Sequence, residues 1–106
     1  MKFTTLIPTT RNDGSKVEPA ELVRLIDGLW RPFGGMTNEG YVVGRWIDPA
    51  SGMEYEDTCL KVVVACERDR LPAAIEAVQQ IGRQLGQLAM YFEVSEYDGV
   101  QILTIE

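Results

Sequence analysis

The stretch EGYVVGRWIDPASGMEYEDTCLKVVVAC, residues 39–66, decides the fold. Two runs rich in valine, isoleucine and aromatic residues, about 40–47 and 55–66, flank Asp48-Pro49-Ala50-Ser51-Gly52. Asp bonds the backbone two residues on, Pro presets φ, and Gly accepts a positive φ, so this cluster between two extended runs predicts a β-hairpin. Side chains alternate across a strand. In the second run Leu60, Val62, Val64 and Cys66 therefore share one face, while Cys59, Lys61, Val63 and Ala65 share the other. The first set is the better core face.

Upstream, Lys2–Pro8 (KFTTLIP) reads as a strand, followed by a polar turn at Arg11-Asn12-Asp13-Gly14-Ser15. Pro19 opens a helix, where its missing N–H is harmless, and Leu22, Leu25, Ile26, Leu29 and Phe33 recur at helical spacing. Pro32 and Gly34-Gly35 stop it. Downstream, a second helix runs from Leu71 or Pro72 to Leu85 with Leu71, Ala74, Ile75, Val78, Ile81 and Leu85 as its buried stripe. Gly82 permits close approach to the sheet, and Gly86 reads as the C-terminal cap. Leu88, Met90, Phe92 and Val94 then alternate with Ala89, Tyr91, Glu93 and Ser95 in a half-buried strand, and Asp98-Gly99 turns into a last strand over 100–105. The order is β-α-β-β-α-β plus one C-terminal strand. It predicts a single α+β domain over 1–106, an antiparallel sheet of the ferredoxin-like kind with two helices on one face.

Composition bounds the chemistry. With 106 residues, one domain is expected, and 45% hydrophobic with 25% charged residues is ordinary globular composition. The absence of histidine excludes His-dependent triads and His-containing zinc sites. Sixteen acidic against ten basic side chains, net −6, argue against nucleic acid as a partner. No secretory signal pattern and no membrane-length apolar run stands in the sequence, so a cytoplasmic location is expected, with no membrane partner. Cys59 and Cys66 fall on opposite faces of one strand and are expected to stay reduced.

Helices on one side leave the other sheet face open. The hairpin read with Val42 and Trp46 inward gives a core face of Val42, Trp46, Leu60, Val62, Val64, Leu88, Met90 and Phe92. The open face then carries Tyr41, Val43, Arg45, Ile47, Cys59, Lys61, Val63, Ala65, Ala89, Tyr91 and Glu93. A one-residue slip of the hairpin exchanges the two lists over 41–47. An open face this apolar marks a protein interface or a ligand-binding floor. Homodimerisation through it is the preferred expectation, a small-molecule pocket the alternative.

Three constellations have both a chemical and a plain structural reading. Asp48, Glu54, Glu56 and Asp57 around the hairpin have the chemistry of a hard-cation site, but Asp48 and Ser51-Gly52 are what a tight turn requires, so no metal is expected. Phe33-Gly34-Gly35-Met36-Thr37-Asn38 leaves a helix and enters a strand, the wrong polarity for a phosphate loop. It reads as a helix stop. The remaining group supplies the ligand-binding or interface candidates Tyr41, Arg45, Trp46, Lys61, Gln87, Tyr91 and Glu93. Arg binds carboxylate or phosphate bidentately, and Tyr or Glu acts as acid or base when desolvated. No nucleophile has a base at a diagnostic spacing, so catalytic residues stay unassigned, and no cofactor is expected.

The succession Asp13-Gly14 with Val17, an amphipathic helix, Phe33-Gly34-Gly35-Met36-Thr37, Gly40 and Gly44-Arg45-Trp46-Ile47-Asp48 resembles a group of small uncharacterised bacterial proteins. In that group a helix ends in a Gly-x-Thr turn and leads into a Gly-x-Trp strand, followed by a turn and Glu before an apolar strand. Here Glu54 or Glu56, Asp57 and Thr58 take that last position, and Gln87 is also similar. The likeness covers roughly residues 13–91. It implies the ferredoxin-like fold and supplies no mechanism. The function expected from all of this is a non-enzymatic cytoplasmic module that self-associates and binds a partner or small ligand. The alternative is a small cofactor-independent enzyme or ligand-binding protein of the dimeric α+β barrel type.

Overall fold

The computed structural model describes residues 1–96 and 103–104. In chain order its elements are β1 (Lys2–Pro8), α1 (Pro19–Trp30), β2 (Thr37–Ile47), β3 (Glu54–Ala65), α2 (Leu71–Gln84) and β4 (Phe92–Ser95), with short 3₁₀ turns at Arg31–Phe33 and Arg68–Arg70. The four strands form one antiparallel sheet in the order β2-β3-β1-β4. The chain is thus α+β with two helices and an open antiparallel sheet. Among the described residues no helix is long and apolar enough to cross a membrane.

β1 lies between β3 and β4, and its alternation sorts the molecule into two sides. Phe3, Thr5 and Ile7 are fully buried and stand opposite Val64, Val62 and Leu60 of β3. Against this side pack Leu22, Leu25, Ile26 and Leu29 of α1 and Ala74, Val78 and Ile81 of α2. Each fully buried side chain of this size contributes about 1.5–3 kcal/mol. Phe3 is the centre of the cluster, edge-on to Phe33 at 5.6 Å and stacked on Phe92 at 5.2 Å. Arg70 ties the two helical connections together: it donates to the Pro32 carbonyl at 2.6 Å and lies over the Phe33 ring.

α1 starts at Pro19, as the sequence predicts, and α2 starts at Leu71 with Pro72 in its first turn. α2 ends on Gly86 at φ 63°, where Gln87 N–H donates to Gly82 O and Gly86 N–H to Arg83 O. That pair of bonds is a Schellman closure and satisfies two terminal carbonyls. The Asp48 turn also forms as read: Gly52 N–H donates to Asp48 O, and the Asp48 carboxylate accepts from Ala50 N–H and Ser51 Oγ.

The hairpin register differs from the expectation. β2 carries one extra residue between Asn38 and Tyr41, after which Val42 stands opposite Cys59, Gly44 opposite Asp57 and Trp46 opposite Tyr55. Gly40, at φ 87°, supplies the bulge conformation, and its N–H is held by the Asn38 side chain at 2.8 Å. Val42, Gly44 and Trp46 therefore lie on the open face with Cys59, while Tyr41, Val43, Arg45 and Ile47 lie on the helix side. The extra residue inverts the alternation that the two lists assumed. Two further expectations change. Leu88 and Met90 precede β4 rather than belonging to it, because the helix closure at Gly86 delays pairing until Phe92 meets Thr5. Ile75 is exposed rather than in the core. The last strand, expected over 100–105, falls mostly outside the described residues.

Gly82 is read correctly as a point of close approach. A Cβ there would stand 2.7 Å from Met90 Cγ. In a Gly82→Ala variant the gain in helix propensity, about 1 kcal/mol, is expected to be offset by overpacking of about 1–3 kcal/mol. Urea unfolding should show a net loss in Gly82→Ala that Met90→Ala relieves in the double variant.

Candidate functional site

On the open face a cleft of about 290 Å³ lies across the C-terminal end of β1. Its floor is Leu6 and Pro8 of β1 with Cys59 and Asp57 of β3, and its walls are Trp46 on the β2 side and Gln87, Ala89, Met90 and Tyr91 on the other. The alternation of β1 explains the floor: Ile7 is turned to the helices, so Leu6 and Pro8 face away from them. Gly44, directly opposite Asp57, leaves the space above that carboxylate open. A Cβ built on Gly44 meets nothing within 4 Å.

The walls are fixed by specific bonds. The Trp46 ring stacks on Tyr55 at 4.8 Å, and its Nε1–H donates to Asp57 Oδ2 at 3.3 Å. On the far side, Thr5 Oγ1 donates to the Tyr91 carbonyl at 2.7 Å, and the Gln87 amide donates to the Thr10 carbonyl at 3.0 Å. Thr5 is buried among apolar side chains, so this hydroxyl bond both satisfies it and anchors the segment before β4.

The electrostatics follow from burial. Cys59 is buried beneath the cleft, its Sγ donating weakly to the Asp57 carbonyl at 3.9 Å. Loss of solvent first, and the Asp57 charge second, push its thiol up to about 11. It is a thiol, not a thiolate, at neutral pH, and both cysteines are free as expected. None of the ten basic side chains is ion-paired to Asp57. Arg45 pairs with Glu56 at 2.9 Å and Lys61 with Glu39 at 3.2 Å.

Of the residues singled out in the sequence, the cleft brings together Trp46, Gln87 and Tyr91. Arg45 reaches its rim, but its guanidinium turns to Glu56 on the helix side. Tyr41 is exposed on that same side, contrary to the open-face assignment. Lys61 and Glu93 do lie on the open face, outside the cleft lining. The contributors missed are Leu6, Pro8, Gly44 and Asp57. Asp57 was grouped with the hairpin acids, which disperse: Asp48 holds its turn and Glu56 takes Arg45. Among the described residues no group of three potential metal ligands forms. Read with the bulge in place, the Gly44–Asp57 pair would have revealed the opening. The loop at Gly34 is the expected helix stop, with Gly34 N–H donating to Trp30 O. With this geometry established, comparison with known proteins adds nothing: no protein-family model matches the chain, and no curated protein does.

The raised Cys59 pKa gives a pH prediction. A thiol that resists ionisation when folded contributes its full stability below the ordinary value of 9.0, and that contribution is lost as pH rises toward about 11. Urea unfolding should weaken across this interval, and Cys59→Ala should remove part of the fall. At neutral pH, iodoacetamide should label Cys66 of the native protein well before Cys59.

Proposed function

We propose that this chain is a binding module that captures a small, largely apolar molecule in the open-face cleft. The observation that carries the reading is the lining itself: a largely apolar floor and walls, with Asp57, Gln87, Tyr91 and, at the rim, Arg45 as the polar points, in a concave site walled by two separate parts of the chain. Such a surface, apolar with a few fixed polar groups, suits recognition of a small ligand. Burial keeps the Cys59 thiol beneath the cleft protonated and therefore a poor nucleophile. The element order β-α-β-β-α-β and the strand order β2-β3-β1-β4 support the ferredoxin-like arrangement as its scaffold. Gly44 and Trp46, the Gly-x-Trp pair of the bacterial proteins that the sequence resembles, both line the cleft.

Self-association is favoured by a separate observation. Tyr41, Val43 and Ile47 are 69%, 58% and 61% exposed on the helix side of β2. These are the residues whose apolar character suggested an interface on the open face, and the register moves them to the other side. On this reading copies meet through the hairpin arm, and the cleft stays accessible.

Benzyl alcohol is a suitable neutral probe of the cleft. In ¹⁵N-resolved spectra it should shift the Trp46 indole and the amides of Leu6, Cys59 and Tyr91, and Gly44→Val, which fills the opening, should abolish those shifts while the fold persists. Shifts that survive Gly44→Val, or that cluster elsewhere, count against the cleft. For association, native mass should show dimers that Val43→Lys disperses. Dispersal by Tyr91→Lys alone would place the contact on the open face instead.

A further inference from the structure

The polar groups of the cleft are unequal in kind, and that inequality specifies the ligand. Apart from the Tyr91 hydroxyl, which can donate or accept, its side-chain donors are turned to partners within the protein. Trp46 Nε1–H donates to Asp57, and the Gln87 amide N–H groups to the Thr10 and Leu85 carbonyls. The Cys59 thiol is directed at the Asp57 carbonyl, and the Arg45 guanidinium at Glu56. What remains beside that hydroxyl are acceptors. The Asp57 carboxylate has its second oxygen, Oδ1, without a side-chain hydrogen bond among the described residues, and the Gln87 amide oxygen is likewise without one.

Charge points the same way. All ten lysines and arginines of the chain lie within residues 1–96. None is ion-paired to Asp57, and the two basic residues of the hairpin strands, Arg45 and Lys61, are held by Glu56 and Glu39. The carboxylate thus faces an apolar cleft with its charge uncompensated by a side chain. The influence of that charge on Cys59 shows that it extends over the floor. The net charge of −6 adds a long-range field that concentrates cations and repels anions. The stacked Trp46–Tyr55 pair beside Asp57 adds aromatic surface, which attracts a cation in contact with a ring face.

We propose that the cleft is a site for a small organic amine in its protonated form, the ammonium on Asp57 and the apolar body against Leu6, Pro8 and Met90. Gln87 offers its amide oxygen to a second N–H of the same group. An anionic ligand would place its charge against Asp57, with the one basic side chain at the rim, Arg45, already paired to Glu56. This inference rests on the cleft being a ligand site and names the class of molecule it takes.

The test compares benzylammonium, benzyl alcohol and benzoate, three probes of one shape and different charge, by ¹⁵N-resolved titration at neutral pH. Benzylammonium should bind most tightly, benzyl alcohol more weakly, and benzoate least. Asp57→Asn keeps an oxygen for the Trp46 N–H and so preserves the wall. It should weaken benzylammonium by about 10- to 100-fold, the range of a charged hydrogen bond, and leave benzyl alcohol nearly unchanged. Added salt should weaken benzylammonium in the parent protein and have little effect in the variant. Equal binding of all three probes, or a benzylammonium affinity indifferent to Asp57→Asn, overturns the amine assignment and leaves the cleft as an apolar site. Absence of any shift at the cleft from all three overturns the cleft and the amine together.

Discussion

The extra residue that β2 carries between Asn38 and Tyr41 determines what each side of the hairpin presents. A strand has a period of two, so one inserted residue exchanges every side chain beyond it between faces. With the bulge, Trp46 comes to the side where it can bond Asp57, and Gly44 comes to stand over that carboxylate. Without it, Tyr41, Val43, Arg45 and Ile47 would occupy those places, and the cleft would lack both its indole wall and its opening. Asn38 and Gly40 hold the irregularity, one through a side-chain bond and the other through a positive φ. The floor of the site is set by a second alternation, that of β1. Phe3, Thr5 and Ile7 are committed to the helices, which leaves Leu6 and Pro8 for the opposite side.

The cleft therefore combines two kinds of support. Its β2 side is held by a cross-strand stack and an indole bond within one hairpin, Trp46 on Tyr55 and Asp57. Its far side is held by bonds to β1 and the residues after it, from Thr5 to Tyr91 and from Gln87 to Thr10. Both use buried or half-buried polar groups, and the hydrogen bonds these make within the protein fix each wall in place. The polar inventory left over is the Tyr91 hydroxyl and the free oxygens of Asp57 and Gln87, in a chain that is already acidic.

Much of this was legible in the sequence, for identifiable reasons. Pro19, Gly34, Asp48-Gly52 and Gly86 each have one dominant local use, and the structure employs them in that way. The helix faces were readable because Leu22, Leu25, Ile26 and Leu29 leave no competing stripe. The hairpin faces were not, because β2 is apolar on both sides: Val42 competes with Val43, and Trp46 with Ile47. Gly40 is the sole local cue to the bulge, and a single glycine in a strand has several other uses. The candidates Trp46, Gln87 and Tyr91 were found because aromatic and amide groups stand out beside small residues. Asp57 was passed over since a carboxylate near a turn is usually solvated, and its role depends on the partner strand's register. Leu6 and Pro8 carry no chemical signal at all. Their importance comes from position alone.

The bond from Thr5 to Tyr91 spans 86 residues, and that from Gln87 to Thr10 spans 77. Contacts this distant in sequence are slow to form, because chain entropy must be surrendered before they return any stabilisation. The hairpin and each helix can gather from nearer neighbours, whereas the far wall of the cleft has to wait for the segment through Tyr91 to dock beside β1. The far wall of the cleft is thus held by contacts that join β1 and the residues after it to a segment far along the chain. Whatever occupies it binds the closed chain in preference to the open one, and by mass action works as a clasp between the first strand and the segment that follows the second helix.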